Sequence, residues 1–161
     1  MAAAVTIAVV LVCSTRAAAG ERPDRTGPVL AGWLTDRGWD VETRVVADGP
    51  PVGAALAHAL EGGARLVITT GGTGVSPTDA TPEQTAPHLA RLLPGIAEEL
   101  RRHGAHATAH ALLSRGLAGV TASGAVVVNL PGSPGGVRDG IAVLDPLLDH
   151  LVEQIAGGDH A

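Results

Sequence analysis

The sequence predicts an α/β fold, a three-layer αβα sandwich on a mostly parallel sheet. Three observations carry this. Short apolar runs rich in β-branched residues alternate with amphipathic stretches, the pattern of buried parallel strands joined by crossover helices. Glycine-rich turns follow two of those runs, at the strand ends where such sheets bind ligands. No internal repeat or interdomain linker interrupts the 161 residues, and that length fits a single domain, residues 1–161.

The elements follow in order. Val5–Cys13 is the first strand. It lies inside an apolar stretch, Met1 to Ala19, that mimics a secretory leader. However, no positive charge precedes the run, Ser14, Thr15 and Arg16 interrupt it, and it is too short to span a membrane. Arg16–Thr26 reads as a polar loop. Pro28 suits the first turn of a helix that runs to Arg37 and stops at Gly38. Val41–Ala47 is a second strand, Asp48-Gly-Pro-Pro a turn, and Val52–Leu60 a helix closed by Gly62-Gly63. Leu66–Thr70 is a third strand. Thr81 then reads as an N-cap, with Pro82 first in the helix and Gln84 completing a capping box. Pro94 ends that helix, and another covers Gly95 to His103. The stretch Ala105–Ala122 has no clear period. Ala125–Asn129 is a fourth strand, Val137–Ile155 the closing helix, and Gly157–Ala161 a frayed tail.

Composition excludes several functions. The formal net charge is -5 and Phe and Tyr are absent, so the chain offers neither a basic face nor an aromatic platform for nucleic acid. All the cationic side chains are Arg. Without Lys there is no P-loop lysine and no Schiff base, so phosphates must be held by backbone N–H groups, Arg or a metal. The lone cysteine, Cys13, permits no intrachain disulfide and no Cys-based zinc site, and reads as a buried strand thiol. A reducing cytoplasm is compatible with it, and the chain is expected there.

The chemistry is expected at two turns. Gly71, Gly72, Thr73 and Gly74 follow the third strand and let an anion approach the backbone, beside a helix start that favours negative charge. Leu130, Pro131, Gly132, Ser133 and Pro134 follow Asn129 of the fourth strand, and Ser133 is placed to cap the last helix. The competing reading of each is a plain tight turn, but two at equivalent strand ends point to one shared crevice. Neither matches G-x-G-x-x-G, so a dinucleotide site is unsupported. Asp79 and Asp48 also fall at carboxyl ends of strands, a pair that suits Mg²⁺ beside phosphates. Their alternative, and that of Asp24, is a cap or turn role. His103, His106 and His110 read as structural or solvated, Arg101 and Arg102 as a solvated helix face, and Arg115 as an anion contact or a surface ion pair.

At these residues a family becomes visible. The stretches Thr69 to Glu83 (TTGGTGVSPTDATPE), Ala111 to Gly119 and Asn129 to Val137 together resemble the molybdopterin adenylyltransferase family of molybdenum-cofactor biosynthesis, which includes the G domains of gephyrin-type fusion proteins. The resemblance extends to Gly20–Pro28 in the first loop and covers nearly the whole chain. It implies the three-layer fold, a homotrimer, and Mg-ATP-dependent adenylylation of molybdopterin, with ATP as co-substrate and a molybdate-insertion enzyme as partner. Carried over by position, Gly71–Gly74 and Asp79 fall on the signature motif, Asp48 on its earlier acidic position, Asn129–Pro134 on the nucleotide turn, and Ser114 and Arg115 on the pterin side. Thr78, Thr26 and Gly135-Gly136 depart from the family pattern, and two of these positions are often basic. A non-catalytic molybdopterin-binding paralogue of the same fold is the alternative. The related molybdate-insertion domain normally belongs to a longer chain.

Overall fold

A computed structural model describes residues 5–158. Six strands form one sheet: β1 (Ile7–Cys13), β2 (Asp40–Val46), β3 (Leu66–Thr70), β4 (Arg91–Leu92), β5 (Ala118–Val120) and β6 (Val126–Leu130), in the order β2-β1-β3-β6-β5-β4. β2, β1, β3 and β6 are mutually parallel, and β5 runs against β6 and β4. The helices are α1 (Thr15–Ala18), α2 (Gly27–Asp36), α3 (Pro50–Glu61), α4 (Thr81–Thr85), α5 (Pro94–Ala105), α6 (Pro134–Leu144) and α7 (Leu148–Ile155).

Strand periodicity divides the core. Even-numbered residues of β1, Ala8 and Val10, join Leu66, Ile68, Val126 and Val128 under α2, α6 and α7. Odd-numbered Val9, Leu11 and Cys13 join Val67 and Val127 under α3. Side chains alternate across a strand, so both faces of β1, β3 and β6 are buried and the sequence reads as continuous apolar runs. The predicted sandwich is therefore present.

Several elements differ from expectation. β1 begins at Ile7, where pairing with Asp40 starts, and Val5 is exposed. Met1–Ala4 and the last three residues of the expected frayed tail lie outside the described residues. Gly157 and Gly158 return N–H bonds to Gln154 and Glu153. The first loop contains α1, capped by Ser14, whose Oγ accepts from Ala17 N–H at 3.2 Å. Most other ends move by one or two residues, the ordinary uncertainty of helix and strand ends.

Three differences are physical. First, the capping box at Thr81 does not form. Thr81 is itself helical, its N–H donates to the Gly72 carbonyl at 3.1 Å, and the helix is five residues long rather than reaching Pro94. Second, the closing helix breaks into α6 and α7 because Pro146 has no N–H to continue it. Third, the unperiodic stretch holds a 3₁₀ turn (Ala109–Leu113) and β5, whose three residues are too short to show a period.

Candidate functional site

The turns after β3 and β6 meet. Gly71 N–H donates to the Leu130 carbonyl at 3.0 Å, and Thr70 Oγ1 donates to the Pro131 carbonyl at 2.8 Å. A Cβ on Gly132 would lie 3.1 Å from Gly71 Cα, so the close approach of the two turns favours glycine. Gly72 has φ +67°, and a Cβ there would collide with Asp48 Oδ2 and Thr81 Oγ1. The two turns line one cleft of about 450 Å³, closed on the other side by α5, the 3₁₀ turn and Ser114. This volume lies within the usual small-molecule range. A second cleft of about 220 Å³ lies against the same glycine pair and is lined by Arg22, Asp24, Arg25 and Pro134.

Of the expected residues, Gly71–Gly74, Asp79, Ser114, Asn129 and Pro131–Ser133 line the main cleft. Asp48, Arg115 and Leu130 do not line it, and Pro134 faces the smaller one. Leu130 is the last residue of β6 and fully buried, so a ligand can reach only its neighbours. Asn129 is buried and committed. Its Oδ1 accepts from Leu117 N–H at 3.0 Å, and its Nδ2 donates to Thr69 Oγ1 at 2.9 Å and Thr85 Oγ1 at 3.0 Å. Asp24 Oδ1 accepts from Thr26 and Gly27 N–H, which makes it a cap for α2.

The two carboxylates differ in how they are held. Asp79 Oδ2 accepts from Ser76 N–H at 3.2 Å, and a Cβ on Gly74 would lie 2.7 Å from it. Asp48 is more fully engaged. Oδ1 accepts from Gly49 N–H at 2.7 Å, both oxygens face Ala80 N–H at 3.3 and 3.4 Å, and Thr81 Oγ1 is 3.5 Å away. The carboxylate two residues after β2 thus holds the backbone next to Asp79. The expected attraction of an anion to the start of α4 is absent, because Ala80 and Thr81 N–H already have partners. At the start of α6, Ser133 Oγ accepts from Gly136 N–H at 3.0 Å and the Ser133 carbonyl from Val137 N–H at 3.0 Å, which leaves Gly135 N–H, on the cleft wall, for a ligand.

Arg115 is a clamp. Its backbone N–H donates to the Thr73 carbonyl at 2.8 Å, its Nε to the Gly74 carbonyl at 2.7 Å, and its Nη2 to the Asp79 carbonyl at 2.9 Å. Nη1 pairs with Glu83, whose carboxyl is held below its ordinary value by that bond. The loop from Gly74 to Asp79 is therefore pinned at both ends.

Arg101, read as solvated, instead turns inward. Its Nη1 donates to the carbonyls of Ser114 at 3.2 Å and Gly116 at 3.1 Å, and it lines the cleft. Asp139 and His110 also line it and were not singled out as ligand contacts. A helix-period signal was available for Asp139, which lies three residues after Gly136 on the same face of α6. His103 Nε2 stands 3.6 Å from Asp139 Oδ1. No group of three or more His, Cys, Asp or Glu suited to a metal occurs among the described residues. No helix among them is long and apolar enough to cross a membrane.

The family described as "Probable molybdopterin binding domain" matches residues 9–150. A "Molybdenum cofactor biosynthesis bifunctional protein" of Synechococcus elongatus is 42% identical over 155 residues, 95% of this chain and 48% of that protein. A "Molybdopterin adenylyltransferase" of Pyrococcus furiosus is 32% identical over 149 residues, 89% of this chain and 88% of that protein. Among solved structures, the molybdopterin biosynthesis Mog protein from Mycobacterium ulcerans superposes with a TM-score of 0.90 at 49% identity, over 96% of this chain and 99% of that one. The chain spans about half the length of the first curated relatives it matches, at 48% and 49%.

Proposed function

The chain belongs to the molybdopterin-binding domain family, and from that membership we propose that it is a molybdopterin adenylyltransferase of molybdenum-cofactor biosynthesis. In this reaction a terminal phosphate oxygen of molybdopterin attacks the α-phosphorus of ATP. The bond to the β-phosphate oxygen breaks, and adenylyl-molybdopterin and pyrophosphate form. The observation that carries the reading is the meeting of the two glycine turns with Asp79 in one cleft. Such a transfer needs no covalent intermediate. Aligning the two phosphates and offsetting their charge supply the acceleration, which suits a chain without lysine.

The donor set fits Mg²⁺, a hard cation that takes one or two carboxylates together with phosphate oxygens and water. Asp79 lines the cleft and receives one N–H on Oδ2, and Oδ1 has no hydrogen-bond partner among the described residues, which leaves that oxygen free for a cation. Asp48 is the second candidate ligand, and through Ala80 it also holds Asp79 in position. Held by Asp79 and Asp48, such an ion would supply charge neutralisation to the phosphates. Backbone N–H groups of the glycine turn and of Gly135 at the start of α6 hold phosphate, and Arg22 and Arg25 bring positive charge to the adjoining small cleft.

Pyrophosphate release from ATP, Mg²⁺ and molybdopterin tests the proposal. Asp79→Asn should lower it on the order of a hundredfold or more, the scale of one strong electrostatic contact in a transition state. Circular dichroism and the thermal midpoint should stay unchanged. Near-normal release by this variant would remove Asp79 from the metal site, and a collapsed fold would make it a structural cap. The alternative, a non-catalytic molybdopterin-binding paralogue, predicts molybdopterin binding by the unmodified chain with only background release. The same reading places the protein in the cytoplasm, passing its product to a molybdate-insertion enzyme. Recovery of the chain from the membrane or secreted fraction would contradict that location, and failure of such an enzyme to use the adenylylated product would contradict the partnership.

A further inference from the structure

Resting on molybdopterin as the substrate, we propose that Asp139 selects the pterin, by accepting two hydrogen bonds from the donor edge of its 2-amino-4-oxo ring. Asp79 and Asp139 are the two acidic residues lining the main cleft among the described residues. Asp79 belongs with the phosphate-holding turns. Asp139 stands further along α6, beyond Gly135 and Gly136, and faces α5, where a Cβ on Gly104 would lie 3.9 Å from its Oδ2. The helix rises about 1.5 Å per residue, so Asp139 lies roughly 9 Å along the axis from Ser133. That span is comparable with the reach from the phosphate of molybdopterin to the far edge of its ring.

The Asp139 carboxylate is open to a ligand. It accepts no hydrogen bond from any described residue, and its charged neighbour is His103 at 3.6 Å, which pairs with it only when protonated. The intervening wall is small and apolar, built by Ala97, Leu100, Ala107 and Ala111, against which a planar ring can lie. The lactam form of a pterin presents N3–H and the 2-amino group side by side. A carboxylate accepts both, in the bidentate manner of a guanidinium pair. Adenine presents a donor beside an acceptor, and the acceptor would face a carboxylate oxygen. The same residue therefore turns the base of ATP away from this end of the cleft.

Fluorescence titration of the full chain with neopterin 3′-phosphate, and with its lumazine counterpart in which oxygen replaces the 2-amino group, tests the assignment. The unmodified chain should bind the pterin at least roughly tenfold more tightly, the scale of one hydrogen bond to a charged group. Asp139→Asn should raise the pterin Kd about tenfold to a hundredfold and leave the Kd values for the lumazine and for ATP within about twofold. Equal affinity of the unmodified chain for the two pteridines, or saturable binding of neither, overturns the assignment without recourse to a variant. So does a folded Asp139→Asn protein with undiminished preference for the pterin. If both preferences appear but no pyrophosphate is released from ATP and molybdopterin, the transfer reading fails and the role of Asp139 stands. Release without the preferences removes Asp139 and leaves the transfer reading intact.

Discussion

Asn129 and Cys13 show how single residues at strand ends are claimed by the fold before any ligand arrives. By the family resemblance Asn129 falls on the nucleotide turn, at the head of Leu130–Pro134. In the structure its amide ties β6 to Thr69 of β3, to Thr85 of α4 and to the backbone before β5. Its side chain sets the shape of the cleft from below. No one-dimensional signal separates these roles, since the three partners lie 12, 44 and 60 residues away. Cys13 was legible, because a thiol ending an apolar run is buried by the run itself. Burial pushes that thiol up from 9.0 to about 12. Below about pH 9 it is protonated in both the folded and unfolded chains and does not affect stability. As the pH rises toward 12 the unfolded chain ionises first, so stability is lost across that window. The chain has no Lys and no Tyr, so few other side chains titrate there. The thermal midpoint should fall from pH 9 to 12 in the unmodified protein and stay nearly level in Cys13→Ala. Parallel declines in the two proteins would assign the loss to another group.

At the scale of elements, the parallel strands were legible and the antiparallel edge was not. β1, β3 and β6 are buried on both faces and therefore announce themselves as apolar runs. β4 and β5, with two and three residues, carry too few side chains for any period, and their partners fix them. The same limit hid the loop clamp. Arg115 reads as an anion contact or a surface ion pair, and its ion pair with Glu83 is present, but it also directs donors at carbonyls of the glycine loop 36 to 42 residues earlier in the chain, which no local signal showed. Arg115→Ala removes the guanidinium from Gly74, Asp79 and Glu83 while leaving the sheet intact. The expected result is a folded protein in which amide exchange quickens over residues 73–80. Pyrophosphate release should fall on the order of a hundredfold, the cost of misplacing a catalytic group by about an ångström. Unchanged exchange in that loop would show that the clamp is redundant.

At the scale of the whole molecule, the division of the sheet explains why the cleft sits where it does. α2, α6 and α7 cover one face and α3 the other, so the β3 and β6 turns emerge side by side at the carboxyl edge of adjacent parallel strands. What the single chain leaves uncovered points to assembly. Val75, Leu92, Leu112 and Leu113 are all more than half exposed, and Leu113 lines the cleft. Mean hydropathy is +0.26, and the surface has no lysine to keep copies apart. We expect a homotrimer, as the family resemblance implies. Burying such side chains against a second copy removes apolar area from water at about 25 cal/mol per Å², and completing the cleft wall beside Leu113 would couple assembly to substrate binding. Light scattering at micromolar concentration should give three times the chain mass of 16.1 kDa. Dilution that yields single chains should weaken pyrophosphate release in step. A lone 16.1 kDa species at micromolar concentration with full activity would show that one chain holds the whole site.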